Sequence, residues 1–373
     1  MGNTLHRRDF IRKAGWASGA AMLAPYWLSA FDGLRHSDYS PHVVLCILGG
    51  GVRNYDTIGL KWGNLMPHMF AGNSPIDVRL AASMPQLPRI FESPLQEQGT
   101  LFTQFRYAKG AISHINAHHA LLTGAYSEQH YSSYEKPLRP SIFDVLSREK
   151  SLAEINHMGW MSNKLGNYEA LGGRYGLHSH GNTWGAEHPN FPLQKTEYTL
   201  DSWGLSFLQD FEDVRSIAAV SNYISEKRPK FAAFNLQGAD CCHYNFTRYC
   251  ANLYAIDYAL ARMWQDIQNI PQLARNTVLI VVSDHGRNSR PNLLEDENGL
   301  SGFDHYDDDA REIFCLIAGP PHLINQDVII NSSAQTIDVA PTIAQILGVE
   351  PQIIAQSFGG RPLLESYGRG VTI

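Results

Sequence analysis

The chain has 373 residues, 44% of them apolar and 18% charged, with 17 Tyr, 16 Phe and 7 Trp; this suits a folded domain with a large core and excludes a disordered or low-complexity chain. A formal net charge of -6 with no basic run argues against a general nucleic-acid binder. Five cysteines in no CxxC spacing exclude a disulfide scaffold or a zinc ribbon, whereas 16 histidines point towards metal chemistry.

In chain order, Arg7-Arg8-Asp9-Phe10-Ile11 followed by the Ala- and Gly-rich stretch from Ala14 to Ala24 reads as a twin-arginine export signal. An amphipathic first helix is the alternative, but polar positions at helical spacing are missing and Pro25 interrupts the stretch. Residues 1–30 are therefore expected to be the signal and residues 31–373 one folded domain. The expected destination is periplasmic or extracellular, reached with the twin-arginine export machinery as partner. Cleavage near Ala30 is expected, with an uncleaved anchor as the other possibility. No later stretch approaches the ~18 apolar residues of a membrane span.

Beyond the signal, continuous apolar runs predict buried parallel strands at Val43–Leu48, Phe231–Leu236, Val278–Val282 and Ile313–Ala318. Helical patterns occupy Pro140–Glu149, Ile217–Ser225, Arg248–Ile267 and Val339–Leu347, and residues 160–200, rich in Gly, Asn and aromatics, read as long surface loops. Alternation of this kind predicts a three-layer α/β/α sandwich around a mostly parallel sheet, with ligands bound beyond the carboxyl ends of the strands. No GxGxxG fingerprint follows the glycines at 49–51 and no GxSxG elbow exists, which argues against dinucleotide binding and a hydrolase triad.

Three polar clusters sit near strand ends: Gly238-Ala239-Asp240-Cys241-Cys242-His243, Ser283-Asp284-His285-Gly286 and Phe303-Asp304-His305-Tyr306. Asp and neutral His offer oxygen and nitrogen donors suited to zinc or a similar divalent ion. One such cluster is commonly a hydrogen-bonded loop; three in one α/β chain point to a metal site. Cys46 and Cys315 read as core thiols, and Cys241 and Cys242 either pack or touch the metal.

The segment Val281-Val282-Ser283-Asp284-His285-Gly286 resembles the metal-binding strand end of the alkaline phosphatase and sulfatase superfamily. Leu121-Leu122-Thr123-Gly124 is similar to the end of that superfamily's nucleophile helix, Ser141–Leu146 to the next helix, Asp338–Gly348 to its C-terminal helix and Gly360-Arg361-Pro362-Leu363 to its closing turn. The chain thus looks like an atypical, exported member with an alkaline-phosphatase-like fold. The resemblance implies one ion on Asp240, His243 and His305, and a second on Asp284 and His285 with an N-terminal Asp and the nucleophile. It implies zinc, with calcium or manganese as alternatives, as one ion or two, and a small-molecule phosphate or sulfate ester as substrate.

The sequence departs from that pattern at three places. The usual Asp after the first strand is replaced within Gly50-Gly51-Val52-Arg53, leaving Asp56 or Asn54 as substitutes. Asp240 and His243 are three residues apart instead of four. Counting back from Leu121, the nucleophile position falls on His114, with Ser113 one residue earlier as either a helix cap or the catalytic nucleophile. The Cys- or Ser-x-Pro-x-Arg maturation pattern of formylglycine sulfatases is absent. His114 and His118, four apart with Asn116 and His119 beside them, are candidates to replace lost ligands, to bind substrate oxygens or to pack. His118 matches a His position of related diesterases, and Asn116 and His118 are assigned to substrate binding. Arg53, Arg287 and Arg290 are either solvated or forked onto ester oxygens, Arg287 being the one assigned to substrate. The leading expectation is an exported metal-dependent hydrolase of phosphate or sulfate esters. The alternative is a catalytically inactive relative that binds a ligand or a protein in the periplasm, with a phosphomutase-type transferase as a third.

Overall fold

The apolar run after Pro41 forms β1 (His42–Leu48), the strand around which the sheet is organised. Val44, Cys46 and Leu48 enter one hydrophobic core and Val43, Leu45 and Ile47 another, so both faces are covered. Two covered faces are the physical reason that the run shows no polar alternation. The computed structural model describes residues 40–59, 64–72, 84, 87–131, 135, 137–148, 158–162, 193–208 and 210–368. The chain divides into two units, Met1–Ser40 and Pro41–Ile373, and the export signal expected in the first lies outside the described residues.

The remaining strands are β2 (Gly99–Arg106), β3 (Met158–Ser162), β4 (Phe231–Leu236), β5 (Thr277–Ser283), β6 (Glu312–Ala318), β7 (Val328–Ile330) and β8 (Ala334–Gln335). Their order is β3-β4-β1-β5-β6-β2-β7, with β8 also pairing with β2. Leu48 lies level with Leu236 and with Ser283, so β1, β4 and β5 end at one edge. Strand β6 runs antiparallel to β5 and β2, which brings the loop before it to that same edge.

The helices are α1 (Asn54–Thr57), α2 (His114–Thr123), α3 (Ile142–Leu146), α4 (Leu193–Trp203), α5 (Glu212–Lys227), α6 (Phe246–Gln268), α7 (Pro271–Ala274), α8 (Val339–Ile346) and α9 (Pro351–Ser357). Apolar residues of α5 and α6 join the core with Val44, while Leu121, Leu122 and residues of α3 and α8 join the core with Val43. The result is the α/β/α layering expected from the alternation of strands and helices. None of the helices among the described residues is long and apolar enough to cross a membrane.

Two expectations are corrected. The segment read as surface loop at 160–200 carries the end of β3 and most of α4 among its described residues. Strand β3 has only five residues, too short to show a period, and α4 is mainly polar, with Leu200 and Trp203 supplying its contacts to the hydrophobic core. Strand β2 was also not anticipated, because a register shift between Phe102 and Phe105 breaks its periodic pattern.

Candidate metal centre

Helix α2 starts with its N-terminus directed at the edge where β1, β4 and β5 end. Ser113 caps it, accepting from the Asn116 amide at 3.3 Å. His114, the first helical residue, stands between two carboxylates: Nε2 is 3.0 Å from Asp240 Oδ1 and Nδ1 is 2.9 Å from Asp284 Oδ2. A helix N-terminus is electrostatically favourable for such anions. Asp284 follows β5, is fully buried, and also accepts the amides of Gly50 and Gly51 at 3.3 and 3.1 Å.

His285 stacks on His114 with ring centroids 4.7 Å apart, and its Nε2 is 2.9 Å from His114 Nδ1. Its Nδ1 is 2.7 Å from the Gly286 carbonyl, an acceptor, so that nitrogen carries the proton and Nε2 the lone pair. His305 closes the group from the loop before β6, its ring 4.4 Å from that of His285. One ring nitrogen from each of His114, His285 and His305 lies within 4.8 Å of the others. Nδ1 of His305 is buried without a hydrogen-bond partner among the described residues, an orphan that a cation would satisfy. Three imidazoles beside a carboxylate are the donor set of a borderline divalent ion such as zinc.

Protonation separates the three rings. Burial, then Arg287 and His114, push the His305 imidazole down to about 4, and burial holds His285 well below the usual histidine range. Both are neutral at pH 7, the form in which an imidazole can hold a metal. Burial would raise the Asp284 carboxyl, but His285 and the hydrogen bond from His114 outweigh it and hold the group well below the carboxylate range. For His114, burial is likewise outweighed, and hydrogen bonds to Asp240 and Asp284 raise the imidazole.

The other candidates are placed as follows. His243 sits at the partly exposed mouth, with Nδ1 2.7 Å from Asp304 Oδ1 and Nε2 3.7 Å from Asp240 Oδ1. Asp304, not singled out from the sequence, was visible only as the neighbour of His305. The Ser113 hydroxyl, proposed as nucleophile, is engaged in its own helix turn with Asn116. Asn116, expected at the substrate, is buried and bonds the Gln129 carbonyl and Tyr131 amide. His118 is buried behind the site, its ring on Asn235 Oδ1 at 2.6 Å and on the His114 carbonyl. Arg287 is directed inward, its guanidinium on the carbonyls of Gly50, Gly51, Ala239 and Phe303, so it ties the loops together instead of reaching outward. Arg53 is forked onto Asp56 at 2.7 Å, and Asp56 also accepts from Tyr249, which places both away from the metal group. Asn54 bonds the Ile313 carbonyl. Burial pushes the thiols of Cys241 and Cys242 up to about 12, so they pack as neutral side chains.

Residues 84–298, over half of the chain, match the family model described as type I phosphodiesterase / nucleotide pyrophosphatase. The match spans His114, Asp240, His243, Asp284 and His285, while His305 lies beyond it. No curated protein matches the sequence. Among solved structures, a mutant of the alkaline phosphatase PafA is similar, with TM-score 0.54 and 9% identity over 89% of this chain and 100% of that one. The lipoteichoic acid synthase LtaP from Listeria monocytogenes has TM-score 0.50 and 12% identity over 89% of this chain and 76% of that one. The fold is therefore alkaline-phosphatase-like.

Proposed function

Because the chain belongs to the type I phosphodiesterase / nucleotide pyrophosphatase family, we propose that it is an exported, metal-dependent hydrolase of phosphoric or sulfuric esters, with phosphodiesters as its first substrate class. The observation that carries this reading is the convergence of His114, His285 and His305 beside Asp284 at the open edge of the sheet. A divalent cation held there would neutralise charge developing on the ester's non-bridging oxygens.

The protein's own groups have separable tasks. Asp284 is fixed by the Gly50, Gly51 and His285 amides, so its carboxylate does not reorganise during reaction. Arg287 joins the loops after β1 and β4 to Phe303 and so sets the spacing of the donors. His243, with Nδ1 held by Asp304, presents Nε2 at the mouth, where it moves a proton to or from the leaving oxygen. Asp240 is already engaged by His114 at 3.0 Å and by Arg287 at 3.5 Å, which favours one ion over two.

The test is turnover of bis-nitrophenyl phosphate, nitrophenyl phosphate and nitrophenyl sulfate, with and without chelation, followed by return of zinc, manganese or calcium. Diester turnover that chelation abolishes and a divalent ion restores is expected. A folded protein that binds metal and turns over none of the three would favour the non-catalytic binding module, a reading that the replacement of the usual Asp by Gly50 supports. Export is supported by Arg7-Arg8 and is tested by fractionating cells expressing the native chain and an Arg7→Lys, Arg8→Lys variant.

A further inference from the structure

We propose that His114 is a metal ligand and not a substitute nucleophile, an inference that rests on the hydrolase reading and defines how that site works. His114 Nδ1 faces two atoms at once, Asp284 Oδ2 and His285 Nε2, each at 2.9 Å. His285 Nε2 is a lone pair, because the proton of that ring lies on the nitrogen facing the Gly286 carbonyl. A single proton on His114 Nδ1 serves only one of these two neighbours. His305 Nδ1 is buried nearby with no hydrogen-bond partner among the described residues. A cation among the three rings takes one nitrogen from each, whereas no arrangement of protons on His114 serves both of its neighbours and reaches His305 as well.

The other side of the ring agrees. With Nδ1 given to the metal, the proton of His114 lies on Nε2, 3.0 Å from Asp240 Oδ1. Metal-bound imidazoles are commonly oriented by a carboxylate on their second nitrogen in this way. Asp240 thus becomes the residue that positions His114. A nucleophilic imidazole needs a lone pair facing open space, yet both His114 nitrogens are engaged and its side chain is only 14% exposed. With the Ser113 hydroxyl engaged in its own helix turn as well, water is the nucleophile and the ester is cleaved in one displacement. The oxygen of a water bonds to phosphorus as the phosphorus–oxygen bond to the leaving group breaks, and the water's proton passes to the leaving oxygen. No phosphorus–nitrogen bond forms.

X-ray absorption of the zinc-loaded full chain counts the imidazoles directly, with three per ion expected and two or fewer overturning the assignment. In His114→Ala and His114→Gln, zinc affinity should fall by more than ~100-fold, beyond what loss of an orienting partner causes; affinity kept within a few-fold would overturn it. Trapping with radiolabelled phosphodiester should leave the protein unlabelled, and an acid-labile, base-stable phosphoryl group on His114 would overturn the proposal. The wild-type absorption measurement does not depend on any variant folding. The two readings fail differently: three imidazoles without ester turnover would remove the hydrolase and keep the ligand, and turnover with undiminished metal in His114→Ala would do the reverse.

Discussion

Gly50 lies against Asp240: a Cβ at position 50 would fall 2.3 Å from the Asp240 amide nitrogen, and the Gly50 φ is +94°. The next glycine is equally constrained, since a Cβ on Gly51 would fall 2.6 Å from His285 Cε1. The absence of a carboxylate in the first loop thus follows from the backbone, which passes too close to Asp240 and His285 to carry a side chain and gives its amides to Asp284 instead. Gly50→Asp, which restores the residue type usual in the superfamily, should therefore destabilise the fold by more than about 2 kcal/mol and add no second ion. Denaturant unfolding with metal analysis checks this; a stable variant that gains an ion would contradict it.

Asp240→Asn separates a positioning residue from a direct ligand. Zinc affinity should fall by about 10–100-fold while the site still fills at saturating metal. Isothermal titration measures both quantities. Failure to fill at any concentration would make Asp240 a ligand in its own right.

Ser113→Ala removes a helix cap. A loss of about 1 kcal/mol in stability is expected, with kcat changed by no more than a few-fold. A nucleophilic hydroxyl would instead lose activity by ~10³-fold or more, so kinetics beside thermal unfolding decides the role of this residue.

His119, buried against the Tyr131 ring at 4.2 Å, makes stability depend on pH. Burial, and then His118, push its imidazole down to about 4 from 6.5. The unfolded chain therefore binds this proton first. The stability associated with neutral His119 is complete above pH 6.5, is lost as pH falls through that value, and levels off below about 4. The loss is at most about 3 kcal/mol. His119→Gln should flatten the acid limb of the unfolding profile in that window, and an unchanged limb would contradict the assignment.

The central strands were legible because both faces are covered and the apolar runs are unbroken, as in Val278–Val282. The position of Asp284 and His285 was legible because they directly follow the apolar run of β5, and His305 was legible only as part of the polar loop before β6. The ambiguous residues were those whose role depends on three-dimensional reach. His114 is 126 residues from Asp240 and 170 from Asp284, and no local pattern shows that its ring spans them. Arg287 looked like a substrate arginine because a loop position does not reveal whether its guanidinium turns inward. Ser113 showed the opposite case, since a Ser before a helix is ordinarily a cap and here serves as one.

The most direct measurement is the metal-to-protein ratio of the natively purified chain, taken alongside phosphodiester turnover before and after chelation. A ratio near one, with metal and turnover lost together on chelation and restored together by zinc, is the expected result. A chain that takes up no divalent ion, or turnover that survives complete removal of metal, would contradict the metal-dependent hydrolase.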